Sequence, residues 1–503
     1  MDANNEKQLT VAVLVLGDVG RSPRMQYHAL SLANSDRVKR VFLVGYRGER
    51  CVPDVEAAGA ITPILLAPEL LPRPKARALY LLYAPIKAVL QLLQLLWALL
   101  VTLPRCDVLL LQTPPAIPTL AAACAYRAAC GVPVVVDWHN LGFSMLEHTL
   151  RAGHPFVKLA RAYERALANT FDGHLCVTRA MAAWLQREWG VAARVLHDRP
   201  PAFFRRLAPP ERHALLRRLA PQFVDASGAP LWPAEGEEGS PWRQGATPWT
   251  EVGANGAARA RASAPALLVS STSWTADEDF GVFLDALGQL DAALQGGAAQ
   301  GAAASPRPAV EVVAVITGKG PQKAMYEAQM RSRPWRRVRV CTMWLEPADY
   351  PALLGAADLG VCLHTSTSGL DLPMKVLDMF GAGLPVCAVG FSCLGELLTH
   401  GTNGLVFDSA ATLAEQLHSL VGRPAEGPAA GRGELAALRV GLTESEARRP
   451  RWAENWAEAA APLLLGEGVR ARRGAGWRAL VAIAAVVAAL TLLLGSWTRV
   501  SLW

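Results

Sequence analysis

The sequence predicts an α/β protein built from two doubly wound parallel sheets, and three observations carry that expectation. Short apolar runs of strand length alternate with helical stretches along most of the chain. Several of these runs end in glycine-containing loops that lead straight into a helix. A length of 503 residues suffices for two or three domains with separate cores.

The first strand is Thr10-Val-Ala-Val-Leu-Val-Leu16, followed by the loop Gly17-Asp-Val-Gly-Arg-Ser-Pro-Arg24 and a helix from Met25 to Ala33. Ser22 is placed to cap that helix and Pro23 to open it, which would aim free N–H groups outward. Gly17 and Gly20 allow close approach, and Arg21 and Arg24 add fixed positive charge. The loop reads either as a phosphate site or as an ordinary βα turn. Further strands are expected at residues 41–44, 61–66, 107–112 and 132–137. The stretch 80–103 carries one charge, Lys87, and seven leucines between Val89 and Leu100. A full span there would separate strands that must pair, so it reads as a helix dipping into one leaflet, or as a core helix. The next strand ends in Asp137-Trp-His-Asn140, where ligands of such sheets sit. His139 could take a proton from an attacking hydroxyl, with Asp137 as base or as orienting group. A strand-end histidine bonded to backbone would look the same.

Residues 195–201 close this first domain, expected over 1–205. A linker and low-complexity insertion is expected over 206–264, because residues 227–263 are rich in Gly, Ala, Pro and Ser; residues 295–308 read likewise. The second domain, 265–425, starts with the strand Ala266-Leu-Leu-Val-Ser270. Thr275 and Glu278 match a capping box before a helix from Phe280. The strand 311–317 leads into Gly318-Lys-Gly-Pro321, a glycine loop with a cation at a helix start. The densest pattern follows the strand 358–363: a loop around Ser366 to Gly369, a helix opened by Pro373 and ended by Gly381 and Gly383, and a strand over 384–389. Lys375 and Asp378 are three apart and share a helix face, so an ammonium suited to phosphate and a carboxylate suited to a ribose diol would meet one ligand. The other reading is a plain strand-loop-helix with a solvated ion pair.

A helical return and basic linker is expected over 426–475, then a candidate transmembrane helix over 476–498. Its 20 uncharged residues, 479–498, would reach about 30 Å. Four arginines precede it (470, 472, 473 and 478) and one, Arg499, follows, which places the preceding domains in the cytosol. The polar first ten residues carry no secretory signal. A net charge of +7 with no basic run interleaved with aromatics excludes a nucleic-acid partner. Nine scattered cysteines read as buried thiols rather than a zinc site or disulfide framework.

Pro373, Lys375, Asp378, Gly383, Pro385 and Val386 fit the pattern that marks the donor site of the two-domain GT-B glycosyltransferases, which this chain resembles. Relatives with a second glutamate in that pattern carry it where this chain has Leu370, beside Asp371. Together with Gly17 to His28, Asp137 to Asn140, Ser270 to Trp274 and Ile316 to Pro321, the chain from about residue 10 to 420 is similar to the eukaryotic chitobiosyldiphosphodolichol β-mannosyltransferase family. The resemblance implies two Rossmann-like domains facing a cleft. It also implies transfer of the first mannose from GDP-mannose to GlcNAc2-diphosphate-dolichol in a β-1,4 linkage, on the cytosolic face of the endoplasmic reticulum membrane. Other mannosyltransferases of the pathway become candidate partners, and no metal or other cofactor is called for. Ser273, Lys319, Ser366, Gly369, Asp371, Lys375 and Asp378 would bind the donor; Gly17, Asp18, Gly20, Arg21 and Arg24 would face the acceptor. His139 helped by Asp137 is the candidate base, with Asp18 as the alternative. Family members begin with a membrane helix, whereas the candidate here is C-terminal. A retaining α-mannosyltransferase of the same pathway, or a noncatalytic membrane scaffold, would keep the same donor loops.

Overall fold

The computed structural model describes residues 8–67, 77–151, 153–242, 245–261, 263–275, 278–297, 311–346, 348–422 and 433–466. The candidate transmembrane segment 476–498 and most of the insertion 295–308 lie outside them. Contacts divide the chain into two units: one holds the described residues up to Asp198 and from Pro450 onward, the other Arg199–Arg449.

The first unit is a seven-stranded parallel sheet in the order β3-β2-β1-β4-β5-β6-β7. Its strands are β1 (Leu9–Asp18), β2 (Val38–Tyr46), β3 (Ile61–Leu66), β4 (Val108–Thr113), β5 (Val134–Trp138), β6 (Gly173–Cys176) and β7 (Arg194–Val195). The crossovers are α1 (Pro23–Ala33), α2 (Pro53–Ala57), α3 (Arg77–Trp97, continued by a π turn to Thr102), α4 (Thr119–Cys130), α5 (Gly142–Leu150), α6 (Pro155–Ala168) and α7 (Arg179–Trp189). The central strands are nearly continuous apolar runs because helices cover both faces. Strand order reverses between β1 and β4, so the loops after these strands open at the topological switch point.

The second unit begins with α8 (Pro209–Leu219) and a small hairpin of β8 (Thr250–Val252) and β9 (Ala258–Ala260). A six-stranded parallel sheet follows in the order β12-β11-β10-β13-β14-β15. Its strands are β10 (Ala266–Ser271), β11 (Val312–Thr317), β12 (Val338–Met343), β13 (Leu359–Cys362), β14 (Val386–Val389) and β15 (Gly404–Phe407). The helices are α9 (Phe280–Gly297), α10 (Lys323–Arg331), α11 (Asp349–Ala356), α12 (Met374–Gly381), α13 (Ala410–Val421) and α14 (Gly433–Arg448). Its switch point lies between β10 and β13. The chain then rejoins the first unit through α15 (Trp452–Ala459) and α16 (Ala461–Leu464), where Trp456, Ala459 and Leu464 pack into the same core as β1 and α1.

The described residues of the stretch 227–263 correct the expectation that it buries too little to order itself. Trp232, Trp242 and Trp249 gather on Phe223 with centroids 6.2, 6.0 and 4.9 Å from it, and Trp249 is fully buried. Each such ring buries about 150–250 Å². A few tryptophans thus offset a composition otherwise dominated by small and polar residues.

Candidate active site

In the first unit the loop after β1 turns inward. Asp18 accepts from the Gly20 N–H on Oδ1 (2.9 Å) and the Glu49 N–H on Oδ2 (3.0 Å), while the Arg21 and Ser22 N–H groups donate to the Asp18 and Val19 carbonyls. The Ser22 hydroxyl donates to Asp18 O at 2.8 Å and does not cap α1. The expected outward cradle of N–H groups is therefore corrected: Gly20, Arg21 and Ser22 spend theirs inside the turn. Gly20 is required because a Cβ there would stand 2.3 Å from the Glu49 carbonyl oxygen, whereas Gly17 meets no such neighbour. Arg21 is exposed and pairs with Glu49 at 2.8 Å.

Arg24 is also corrected. Its side chain is 4% exposed and grips Asp137 with two bonds, Nε to Oδ2 at 2.7 Å and Nη2 to Oδ1 at 2.9 Å. Its Nη1 reaches Leu196 O and Asp198, both at 2.8 Å. A guanidinium spent this way is an internal counter-ion and cannot face an acceptor phosphate. Asp137, fully buried at the end of β5, also meets His28 Nε2 at 3.1 Å and His139 Nε2 at 3.0 Å through Oδ2. Burial alone would raise its pKa, but Arg24, then His139 and the hydrogen bonds from both histidines, hold it well below the usual carboxylate range. An anion held so firmly is no base; it orients His139. The His139 backbone N–H donates to Thr113 O (2.9 Å), tying the ring's loop to the end of β4, and the side chain stays 22% exposed. Glu164 on α6 accepts from the Gly142 and Phe143 N–H groups at 3.1 and 2.7 Å, fixing the start of α5 just beyond this loop.

In the second unit the predicted donor residues stand in the loops after β10, β11 and β13 and on α12. Glu278, 2% exposed, accepts from Thr272 Oγ1 (2.5 Å), from the Ser273 N–H (3.1 Å) and from Lys375 Nζ of α12. Its expected capping role is corrected: Asp279 caps α9 by accepting from the Gly281 N–H at 2.9 Å, and Glu278 instead joins the β10 loop to α12. Lys319 lies over the Trp344 ring, 3.6 Å from its centroid. Gly318 and Gly320 are forced by contact, since a Cβ would stand 1.8 and 1.7 Å from the Thr272 and Ser273 carbonyl oxygens. Beside them Trp274 holds a left-handed backbone, φ +50°, with its indole donating to Gly318 O at 3.2 Å.

After β13, the Ser366 and Ser368 hydroxyls donate to Asp371 Oδ1, and the Leu370 N–H donates to Ser366 Oγ at 3.2 Å. Asp371 thus shapes this loop. Gly369, at φ +70°, turns it, and its carbonyl accepts from Ser392 Oγ at 2.8 Å. Asp378 accepts from Tyr350 OH at 3.5 Å. The structure brings Ser273 and Lys375 together around Glu278, and Ser366 and Gly369 together around Asp371. Sequence reasoning missed Glu278 as a partner of Lys375, and missed Trp344 and Tyr350. The only local signal was a run of three acids, 277–279, where one suffices to cap a helix.

Comparison with known proteins places this geometry. Residues 36–198 match the family described as Glycosyltransferase Family 4, and residues 275–423 match Glycosyl transferases group 1. A chitobiosyldiphosphodolichol beta-mannosyltransferase of Homo sapiens is 40% identical over 455 residues, covering 90% of this chain and 92% of its own. One from Dictyostelium discoideum is 35% identical, covering 89% and 92%. The protein named UDP-glycosyltransferase TURAN of Arabidopsis thaliana is 41% identical, covering 91% and 97%. Among solved structures, Anabaena HepE in complex with UDP-glucose aligns with a TM-score of 0.57 at 15% identity, over 91% of this chain and 99% of that one. Sucrose-phosphate synthase from Thermosynechococcus elongatus gives 0.57 at 13%, over 91% and 97%. The structural likenesses speak to the fold, and the full-length relatives to the family: the chain has the GT-B fold and belongs to the chitobiosyldiphosphodolichol β-mannosyltransferase family.

Proposed function

We propose that this protein transfers mannose from GDP-mannose to GlcNAc2-diphosphate-dolichol, forming the β-1,4 linkage. The observation that carries this reading is identity of 35–40% across about nine-tenths of the chain to proteins named for that reaction. The acceptor hydroxyl loses its proton to His139 as its oxygen attacks the anomeric carbon. The bond from that carbon to the diphosphate breaks, its electron pair leaves on GDP, and the centre inverts from α to β. Asp137 stays ionised and steadies the imidazolium that forms. Lys319 and Lys375 draw charge from the departing diphosphate, assisted by the loop from Ser366 to Gly369 that Asp371 holds in shape. Ser273 borders the donor, and Asp378 takes the ribose. Gly17, Asp18, Gly20 and Arg21 border the acceptor; of the two arginines Arg21 is the exposed one. Asp18, whose oxygens already accept two backbone N–H groups, is the weaker candidate for the base.

We assign the reaction, whose acceptor carries a lipid tail, to the endoplasmic reticulum membrane at its cytosolic face. Helix α3 supports membrane association. Tyr83–Thr102 is apolar and long enough to cross a bilayer, and Ile86, Val89, Leu93, Trp97 and Leu100 form an exposed stripe at helical spacing, with Trp97 67% exposed. On the opposite side Leu95, Ala98 and Leu99 are buried. Such a helix lies along a membrane surface with one face in lipid.

The test is transfer from labelled GDP-mannose to a synthetic GlcNAc2-diphosphate-lipid by purified protein with EDTA present, followed by β-mannosidase. A β-mannosidase-sensitive product is expected. The name of the Arabidopsis relative favours a second reading, a UDP-sugar donor; transfer from a UDP-sugar but not from GDP-mannose would replace the first.

A further inference from the structure

Behind His139 runs a chain of hydrogen bonds that ends in the C-terminal segment of the protein. The Trp456 indole of α15 donates to His28 Nδ1 at 2.9 Å, His28 Nε2 meets Asp137 Oδ2 at 3.1 Å, and the same oxygen meets His139 Nε2 at 3.0 Å. Indole nitrogen is a donor only, so Nδ1 of His28 must accept and its proton must sit on Nε2. An ionised carboxylate accepts only, so His139 also presents its Nε2–H to Asp137, which leaves Nδ1 as its basic nitrogen. Every proton along the chain is thereby assigned.

The arrangement also controls charge. While the Trp456 N–H points at Nδ1, that nitrogen has no room for a proton, and complete burial further disfavours the imidazolium. The charged and titratable groups felt by His28 are Asp137 on β5, Arg24 on its own helix and His139 in the following loop. From α15 it meets the Trp456 indole, and Trp452 edge-on at 5.4 Å. Asp137 therefore faces one permanent cation, Arg24. A protonated His28 would be a second, and would drain the carboxylate of the charge that steadies His139.

We propose that Trp456 is a positioning residue of the transfer reaction: by holding His28 neutral with its proton on Nε2, it keeps Asp137 aligned and charged to support His139. This rests on the reading of His139 as the base. The segment after Pro450 then completes the chemistry of the first unit besides covering its core.

Trp456→Phe keeps an aromatic ring and deletes the one N–H. In the full-length protein, with labelled GDP-mannose and the synthetic lipid acceptor, kcat should fall roughly tenfold, a part of the roughly 10²–10⁴ that a general base supplies. KM for both substrates should hold, and the acid limb of the kcat/KM profile should move. In a His139→Ala background the same change should cost nothing further. Trp452→Phe, which loses an N–H given to Ser31 Oγ at 2.9 Å and keeps a ring beside His28 and Arg24, should keep the wild-type kcat. Equal losses from Trp456→Phe in both backgrounds, or a rise in KM with kcat retained, would overturn the proposal. Nitrogen-15 spectra of the histidine side chains test it without activity: His28 should show a bare Nδ1 and a protonated Nε2 from pH 6 to 8, and an imidazolium or the other tautomer would overturn it. Full transfer by His139→Ala alone would instead remove the base assignment, whatever the spectra show.

Discussion

Lys375→Met tests the donor site through its energetics. Glu278 is 2% exposed, and with Lys375 gone it keeps the Thr272 hydroxyl, the Ser273 N–H and, at 4.0 Å, His364 Nδ1 against its charge. Removing one partner of a buried pair costs about 3–5 kcal/mol. The Lys375 side chain is 24% exposed, so water can approach from that side and the low end, about 3 kcal/mol, applies. For a unit of this size that corresponds to a loss of roughly 6–12 °C in Tm. Adding Glu278→Gln removes the stranded charge and should restore most of the loss. Binding should behave differently: if Lys375 also holds the diphosphate, the double variant regains stability but binds GDP as weakly as the single one. Thermal unfolding by circular dichroism and GDP titration by calorimetry read the two quantities separately. A single variant within a degree of wild type, or a double variant no more stable than the single, would refute the pairing argument.

Three further outcomes are expected. Burial pushes Glu164 up to about 8 against its two backbone donors, so between about pH 4.5 and 8 the folded state binds more protons than the unfolded chain. Stability of the first unit should therefore be greatest at the acid end of that window and decline toward pH 8; Glu164→Gln should flatten the slope, and parallel Tm curves for the two proteins would contradict this. Leu93→Glu or Trp97→Glu on α3 should weaken binding to phospholipid vesicles at least tenfold, since one such side chain entering lipid contributes about 1.5–3 kcal/mol, whereas Val440→Glu, exposed on α14, should leave it unchanged. Gly320→Ala forces the β10 and β11 loops apart and should weaken GDP binding and lower Tm, while Gly395→Ala, with nothing within 4 Å of its Cβ, should do neither.

The sheets were legible because both faces of each are covered, which makes the strands unbroken apolar runs such as Val134-Val-Val136 and Val312 to Ile316. The loops after β1, β5, β10, β11 and β13 were legible because glycine, proline and charge cluster where a strand turns into a helix. Local pattern could not weigh a few large rings against many small residues, and so missed the ordering of 227–263 around Trp249. It also took Glu278 for a cap, because a cap is a local motif while the pairing of Glu278 with Lys375 spans 97 residues.

Two cations in such motifs, Arg24 and Lys375, do not share a fate. Arg24 and Lys375 each stand in a loop-helix motif that promises a phosphate, and each is matched by a buried carboxylate, 113 and 97 residues away. Charge compensation is set by what the fold brings near, and a motif read along the chain carries no information about it. Exposure then separates the two. Arg24, 4% exposed and committed through all three guanidinium nitrogens, can release nothing to a ligand without giving up a bond to Asp137, Leu196 or Asp198. Lys375, 24% exposed with a three-donor ammonium, can keep Glu278 on one proton and offer another to a diphosphate. The same pairing that turns Arg24 into scaffold leaves Lys375 able to act, and it does so because an ammonium at the edge of solvent has donors to spare.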